Sequence, residues 1–242
     1  IRVVTPSAKD YLMKNYGLKR DKITLSNLGC SREEFYPSSK LRKKFRNRES
    51  LEKQDYVVGV SGKISNWKRV DTTINAFKKI KNKNFKLLIF GKFYGDEYER
   101  LKKICGEDRR IVLKKKFMGK EELNEFYNGV DSMCWTHVTI SIFESLATKT
   151  PAILPFFGGT KHISQISPGV FYYGKGEKLF DSRERIINEK VREEGIKSTI
   201  LQKPLFKGDV SKEIFWENIC KGLHKQYKEI INKKDFKNGN NP

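Results

Sequence analysis

Residues 56–71 read YVVGVSGKISNWKRVD and decide the fold prediction. The apolar run Tyr56–Val60 predicts a strand that is buried on both faces. From Asp71 onward the apolar residues recur at helical spacing, which predicts a helix over Asp71–Lys81. A basic, glycine-containing segment joins the two. Strand, loop and helix in this order form the basic unit of an α/β protein.

The same alternation continues along the chain, which is typical of a parallel sheet. The predicted strands are Ile1–Thr5, Ile23–Ser26, Tyr56–Val60, Lys86–Phe90, Arg110–Leu113, Ser132–Trp135, Pro151–Leu154 and Gly169–Tyr173. The predicted helices are Ser7–Tyr16, Asp71–Lys81, Gly95–Cys105, Lys120–Gly129, Ile140–Thr150 and the amphipathic Phe215–Lys234, which we expect to pack back onto the domain. We therefore predict an α/β fold with a Rossmann-like, doubly wound parallel sheet.

The composition limits the classes of binding partner but does not select one of them. The 242 residues are 37% hydrophobic, enough for one large or two small domains, and the formal net charge is +21. Such a charge favours nucleic acid, acidic lipid head groups or phosphorylated small molecules. The four cysteines form no CxxC pair, which predicts no metal site and a reducing, cytoplasmic compartment. No apolar run approaches the roughly 18 residues of a membrane span. Because the chain opens without Met on a strand-like segment, we expect that a longer polypeptide precedes it.

Three loops follow predicted strands, where a doubly wound sheet binds its ligands. In SGKISNWKRVD, Gly62 lets a ligand approach the backbone closely, and Lys63 and Lys68 could converge on a diphosphate. The spacing is neither that of a Walker A loop nor of GxGxxG. By local pattern alone, a solvated surface loop explains this segment equally well.

The other two loops carry an acid and a histidine. Thr139 or Ser141 could cap the helix that follows, and Glu144 on its first turn could accept hydrogen bonds from sugar hydroxyls or only complement the helix dipole. The third loop reads FFGGTKH, and its His162 could donate a proton, contact a sugar or have a structural role.

Segments in a fixed order resemble the large retaining family four of the GT-B glycosyltransferases. Residues 5–37 resemble that family's interdomain passage, with Gly29, Phe35 and Pro37 matching. Residues 59–77 resemble the family's G-R-L-x-x-x-K-G-x-D-x-L-I-x-A-F, with Lys63 in place of Arg. FKLLIFGKF, RIVLKKKFMGKEELNEFYNGVD, FESLATKTPAIL and FFGGTKHI follow at fitting intervals and are similar to further family motifs. The resemblance covers nearly the whole chain and implies the donor-binding, C-terminal half of such an enzyme.

The resemblance implies roles for residues in these segments. Gly62, Lys63 and Lys68 would hold the donor diphosphate together with the backbone amides of Thr139 and Ile140, so no metal or other cofactor is expected. Glu144 matches the second Glu of the family's E-x7-E motif and would hold the ribose hydroxyls. Phe117 and Met118 would lie beside the base of a UDP- or GDP-sugar.

The sequence departs from the family near the transferred sugar. Thr136 occupies the slot of the first Glu of E-x7-E, the loop there is shorter than usual, and His162 replaces the Glu of G-G-x-x-E. The catalytic group is therefore left open, with Thr136, His137 and His162 as candidates. Binding of a nucleotide sugar is better supported than turnover.

The predicted division of the chain is an interdomain passage over 1–37, a basic linker over 38–55, a nucleotide-sugar-binding domain over 56–205 and a C-terminal helix and tail over 206–242. The charged run Ser38–Gln54 is interpreted as a solvated linker or helix.

The predicted activity is metal-independent, retaining sugar transfer to a glycan, lipid or protein, with the acceptor bound between this chain and an N-terminal GT-B domain upstream. The alternative is a degenerate transferase fold that binds nucleic acid or anionic membrane. Nucleic acid is the weaker partner, because no aromatic residues interleave the basic run as stacking platforms would. Peripheral membrane contact is compatible with catalysis.

Overall fold

The computed structural model describes residues 1–175 and 188–238, with side chains up to residue 232. The strands are β1 (Arg2–Val3), β2 (Thr24–Leu25), β3 (Tyr56–Ile64), β4 (Phe85–Phe93), β5 (Ile111–Lys115), β6 (Ser132–Cys134), β7 (Ala152–Pro155) and β8 (Val170–Tyr173). The helices are α1 (Pro6–Tyr16), α2 (Ser39–Arg48), α3 (Val70–Lys78), α4 (Glu97–Cys105), α5 (Lys120–Gly129), α6 (Ser141–Ala147), α7 (Ile163–Ile166), α8 (Glu189–Leu201) and α9 (Trp216–Asn238).

Six strands form one parallel sheet in the order β5-β4-β3-β6-β7-β8, and β1 pairs with β2 in a separate parallel pair. Counted from β3, this is the strand order 3-2-1-4-5-6 of the Rossmann fold. The order reverses between β3 and β6, so a ligand-binding crevice is expected outside their carboxyl ends. The predicted fold class is confirmed.

Alternate residues of the strands enter two hydrophobic cores. Val57 and Leu88 belong to the core that also contains Phe45 of α2, Phe126 of α5 and Phe143 of α6. Their neighbours point the other way, toward a second core. That core joins α3, α4 and α8 to the sheet through Val58, Ile89, Phe77, Leu101 and Ile196. Both faces are covered by helices, which explains why the strands are apolar throughout.

The strand that leads to the basic loop is longer than predicted. Gly62 and Lys63 belong to β3, where they pair with Gly91 and Lys92 of β4. Gly62 has a φ of 103°, and a Cβ on Gly91 would lie 2.2 Å from the Gly62 oxygen. Only glycines permit this close approach, and they carry the pairing four residues past Val60. The prediction that Gly62 and Lys63 lie in a loop is therefore wrong.

The charged run Ser38–Gln54 was predicted to be a solvated linker or helix, and it contains helix α2. One side of α2 is buried rather than exposed to solvent. Phe45 is fully buried, and Arg46 is 8% exposed. Arg42 and Arg46 pair with Asp131 at 2.5 and 3.3 Å. Lys44 and Arg48 pair with Glu125, the former at 2.7 Å. An amphipathic arrangement of cations around one aromatic anchor fixes this segment to α5.

Helices α7 and α8 were not predicted. In α8, Gly195 interrupts the helical pattern, and a Cβ there would lie 3.2 Å from the Tyr173 side chain, so the glycine serves close packing on β8. Arg192, normally a surface residue, is fully buried in the same helix. Both features conceal the amphipathic signal, because Gly is typical of helix breaks and Arg of solvent-facing positions.

The C-terminal helix only partly packs on the body. Phe215, just before α9, is buried, and Ile219 lies against Gly29. Tyr227 and Ile231 are more than half exposed, and Ile230 is half exposed. Within the described side chains, the expected packing of this helix onto the domain is thus limited to its first turns.

The predicted division at residues 37, 55 and 205 stays a prediction. Residues 176–187 of the predicted domain and 239–242 of the predicted tail lie outside the described residues. Cys30, in the predicted interdomain passage, contacts the C-terminal segment: its amide donates to the Ile214 oxygen at 2.9 Å, and its oxygen accepts from the Trp216 amide at 3.0 Å.

Candidate functional site

A small cleft, open to solvent, lies at the point where the strand order reverses. One wall comes from β3 and the SNWK segment after it, and the other from the loop between β6 and α6. Five of the predicted site residues line it: Lys63, Lys68, Thr136, His137 and Thr139. The fold therefore brings together residues that are up to 76 positions apart in the sequence.

The two lysines of the cleft have no acidic partner among residues 1–175 and 188–232. Burial lowers the pKa of Lys68, and the nearby charge of Lys63 lowers it further. The Lys68 ammonium lies 5.7 Å from the centre of the Trp67 ring. Two like charges held together in a concave site attract an anion that can neutralise both.

An ion-pair network fixes the segment that carries Lys68. Arg69 lies in the left-handed region at φ 49° and ψ 47°, which costs conformational energy in a residue other than glycine. Its guanidinium contacts Asp71 at 3.2 Å and Glu189 at 2.7 Å, and Arg100 contacts Asp71 at 3.1 Å. Burial alone would raise the pKa of Asp71, but hydrogen bonds from Arg69 and Arg100 lower it. The network holds Arg69, and so its neighbour Lys68, in place.

On the opposite wall, Thr136 and His137 form a short hydrogen-bond chain. The Thr136 hydroxyl donates to the backbone oxygen of Lys68 and lies 3.0 Å from Nδ1 of His137. The His137 ring stands edge-on to the exposed Trp67 ring, with 4.8 Å between centres. Burial, together with the charges of Arg192 and Lys68, lowers the pKa of His137 to about 4. The imidazole is therefore neutral at physiological pH.

Arg192 is a functional candidate that sequence reasoning missed. Its Nη2 donates to the Thr136 oxygen at 3.3 Å, while its Nε and Nη1 are buried with no hydrogen-bond partner among residues 1–175 and 188–232. This buried guanidinium places a positive charge directly behind the Thr136–His137 turn. The sequence did not mark Arg192 as a site residue, because no motif or residue spacing connects α8 with the end of β6.

Glu144 lies beside the cleft and is linked to it through Tyr127. The Tyr127 hydroxyl donates to Oε2 of Glu144 at 3.2 Å and lies 3.4 Å from the Ser61 hydroxyl on the cleft wall. Burial raises the pKa of Glu144, against the hydrogen bonds from Tyr127 and Ser141. Tyr127 is fully buried, which also raises its own pKa. The carboxylate is thus held by a phenol that sequence analysis did not single out.

The start of α6 differs from the prediction. Neither Thr139 nor Ser141 caps the helix through its side chain, since the Ser141 hydroxyl instead serves Tyr127 and Glu144. Thr139 lines the cleft, and Ile140 is 44% exposed beside it. Within the described residues, the backbone amides of Thr139 and Ile140 have no acceptor.

The remaining predicted residues lie elsewhere. Phe117 is 79% exposed and borders a second, open depression with Gly91, Lys92 and Lys116, at the ends of β4 and β5. Met118 is buried in the core, so its side chain faces away from that depression. His162 is buried outside the cleft lining, and burial lowers its pKa. Its Nδ1 has no hydrogen-bond partner in the part of the chain that the structure describes.

The sequence profile of the protein family "Glycosyl transferases group 1" matches residues 42–166. This is more than half of the chain, and it spans both walls of the cleft. The protein belongs to the glycosyl transferases group 1 family. The resemblance inferred from the motifs is thereby confirmed. A search of curated proteins found no match.

Solved structures of glycosyltransferases share the fold of this family member. Sucrose-phosphate synthase from Thermosynechococcus elongatus superimposes with a TM-score of 0.70 at 16% identity, over 96% of this chain and 58% of its own. A glycosyltransferase from Rickettsia africae gives 0.69 at 16% identity, over 95% and 63%. Anabaena HepE, solved with UDP and glucose, gives 0.66 at 13% identity, over 94% and 62%. The chain thus spans about three-fifths of the length of these proteins.

Two further features of the group 1 chain bear on its chemistry. Among the residues that the structure describes, no group of three or more His, Cys, Asp and Glu side chains is placed to hold a metal ion. In the same part of the chain, no helix is long and apolar enough to cross a bilayer.

Proposed function

We propose that this chain binds the nucleotide-sugar donor of a retaining, metal-independent glycosyltransferase. The observation that carries the proposal is the pair Lys63 and Lys68, which face one cleft at the switch point of the sheet without an acidic partner in the described residues. A nucleoside diphosphate supplies the two negative charges that such a pair attracts. Family membership and the fold of HepE, which was solved with UDP-glucose, support the same ligand class.

Each predicted site residue has a place in this proposal. Lys63 and Lys68 hold the diphosphate beside Gly62, and the backbone amides of Thr139 and Ile140 donate to its oxygens. Glu144, oriented by Tyr127, accepts hydrogen bonds from the ribose. Phe117 contacts the base from the depression at the end of β5, and Met118 contributes its backbone only.

The chemistry follows from charge. As the bond to the anomeric carbon breaks, negative charge develops on the departing diphosphate and positive charge on the sugar. The ammonium groups of Lys63 and Lys68 lie where that diphosphate forms, so the chain itself supplies the stabilising charge that a metal provides elsewhere. Of the three candidate catalytic residues, Thr136 and His137 line this cleft. The acceptor, a glycan, lipid or protein, would approach from the predicted upstream domain.

Calorimetric titration with UDP, GDP, UDP-glucose and GDP-glucose tests the proposal. The protein is expected to bind at least one sugar nucleotide in the presence of EDTA, and Lys68→Met is expected to weaken binding about ten- to a hundredfold, as for the loss of a charged hydrogen bond. Lys14→Met, on the exposed surface of α1, removes the same charge away from the cleft and should leave affinity unchanged. Absence of binding by the wild type to all four compounds would refute the proposal.

Contact with an anionic membrane is a second candidate, favoured by the exposed face of α9. Tyr227, Ile230 and Ile231 present apolar surface on one side of the helix, Lys228 borders this surface, and Lys225 lies on the opposite side. Such a helix can lie in a bilayer interface. It would keep the protein cytoplasmic but peripheral, in agreement with its free cysteines. Nucleic acid is a weaker candidate partner than the basic run of the sequence suggests, because four cations of α2 pair with Asp131 and Glu125.

Co-sedimentation with vesicles tests the membrane candidate. Binding to phosphatidylserine-containing vesicles is expected at low salt, and it should fall for Ile230→Asp and for wild type at high salt. Equal binding to neutral vesicles, or none to either, would exclude it.

A further inference from the structure

The Thr136 hydroxyl has a single proton, and its hydrogen bonds show where that proton lies. The backbone oxygen of Lys68 can only accept, so Thr136 donates to it. The second contact of the same hydroxyl, 3.0 Å from Nδ1 of His137, must then be one in which Thr136 accepts. Nδ1 of His137 consequently carries a proton.

The other ring nitrogen of His137 follows from this assignment. A neutral imidazole has one N–H, so with Nδ1 protonated, Nε2 bears a free lone pair. The charged neighbours of the ring are Lys68 and Arg192, both cations that disfavour a second proton. In the described part of the chain, nothing hydrogen-bonds to Nε2. His137 therefore brings an unused acceptor to the cleft that Lys63 and Lys68 line.

We propose that Nε2 of His137 accepts a hydrogen bond from a hydroxyl of the transferred sugar, which makes His137 a specificity-determining residue. This inference rests on the proposed function. A phosphate oxygen has no proton to donate at neutral pH and would be repelled by the lone pair, whereas every free sugar hydroxyl can donate. The sugar is bonded directly to the diphosphate, so it reaches the residues next to the two lysines.

The surroundings of His137 keep its ring in a defined orientation. The edge of the ring contacts Trp67, and the bond to Thr136 fixes its rotation. Thr136 in turn accepts a hydrogen bond at its backbone oxygen from Arg192. Thr136 and Arg192 are thus positioning residues, and Thr136 selects the tautomer.

The tautomer is tested by nitrogen-15 NMR of the whole chain between pH 6 and 8. His137→Gln assigns the signals of His137, and His224→Gln, on the exposed surface of α9, serves as the control. We expect an unprotonated Nε2 and a protonated Nδ1 over the whole range, and loss of this preference in Thr136→Val. A protonated Nε2, or an imidazolium at pH 6.5, would overturn the inference.

Binding of the sugar is tested by comparing UDP with UDP-glucose, or GDP with GDP-glucose, by calorimetry. His137→Leu, which lacks an acceptor, is expected to lower affinity for the sugar nucleotide by several-fold to about tenfold while affinity for the nucleotide alone is kept. His137→Gln can present an amide oxygen near the place of Nε2 and should restore part of the loss.

The outcomes separate this inference from the proposed function. If the wild type binds nucleotide and sugar nucleotide, and His137→Leu weakens both equally or neither, only the role of His137 is refuted. If the wild type binds neither, the proposed function fails and this inference fails with it.

Discussion

The Thr136 hydroxyl donates a hydrogen bond to the backbone oxygen of Lys68 and so ties the loop after β6 to the segment after β3. These are the two strands between which the strand order reverses. One threonine thereby connects both walls of the cleft, at the slot where the family resemblance implied a carboxylate. At this slot Thr136 makes a structural contact.

Removing this contact should loosen the position of Lys68. Thr136→Val keeps the side-chain shape but loses the hydroxyl, so we expect unfolding free energy to fall by about 1 kcal/mol and nucleotide affinity to fall with it. Thr136→Ser retains the hydroxyl and serves as the control in urea unfolding and calorimetry. Unchanged affinity in Thr136→Val would show that the tie does not position Lys68.

The affinity for nucleotide should depend on the protonation of Glu144. Burial raises the pKa of this carboxyl, and protonation removes its negative charge and turns one of its two acceptor oxygens into a donor, so affinity should fall on acidification already above the ordinary carboxyl range. The hydrogen bond from Tyr127 opposes the rise. Tyr127→Phe should therefore shift the loss of affinity to higher pH, as measured by titrating UDP between pH 4.5 and 8. If the affinity of Glu144→Gln for UDP depends on pH as steeply as that of the wild type, another group is responsible for the pH dependence.

The stability of the SNWKR segment should depend on pH through Asp71. Hydrogen bonds from Arg69 and Arg100 lower its pKa in the folded state below the unfolded value of about 3.9, so its contribution is present above that pH and is lost as the pH falls through the folded pKa. Asp71→Asn is expected to destabilise the protein at pH 7, and the difference from wild type should shrink below about pH 4. Urea unfolding at both pH values measures this. A constant difference would contradict the ion-pair explanation.

Phe45 should be the main anchor of α2. Its ring packs edge-on to Phe126 with 5.5 Å between centres, and its side chain fills the space that Gly129 leaves open. Phe45→Ala is expected to lower unfolding free energy by about 3–5 kcal/mol, and Phe45→Leu by less. Gly129→Ala should also destabilise, since the new Cβ would lie 2.0 Å from the Phe45 ring. Wild-type stability in Phe45→Ala would mean that α2 is held by its ion pairs alone.

The sequence was sufficient for the sheet and for one cleft wall, because strand and helix periods are local properties. Val57 and Val58 illustrate this, because they pack into the cores on opposite faces of the sheet. A run that is apolar on both faces predicts such a strand directly. The extension of β3 through Lys63 could not be foreseen, because it depends on Gly91 of another strand.

The residues that the sequence did not reveal act through long-range contacts. Tyr127 lies in the predicted helix Lys120–Gly129, and its hydroxyl reaches Glu144. Arg192 reaches the Thr136 oxygen from a helix 56 residues later. Neither contact leaves a periodic or spacing signal. Conversely, His162 occupied a promising motif position but lies outside the cleft lining.

The central claim is that Lys63 and Lys68 hold a nucleoside diphosphate, and a crystal structure of the protein with UDP tests it most directly. We expect the two phosphate groups in the cleft at the end of β3, with oxygens within about 3 Å of both ammonium groups. Phosphates bound away from this cleft, for instance beside Lys115 and Lys116 at the end of β5, would contradict the assignment.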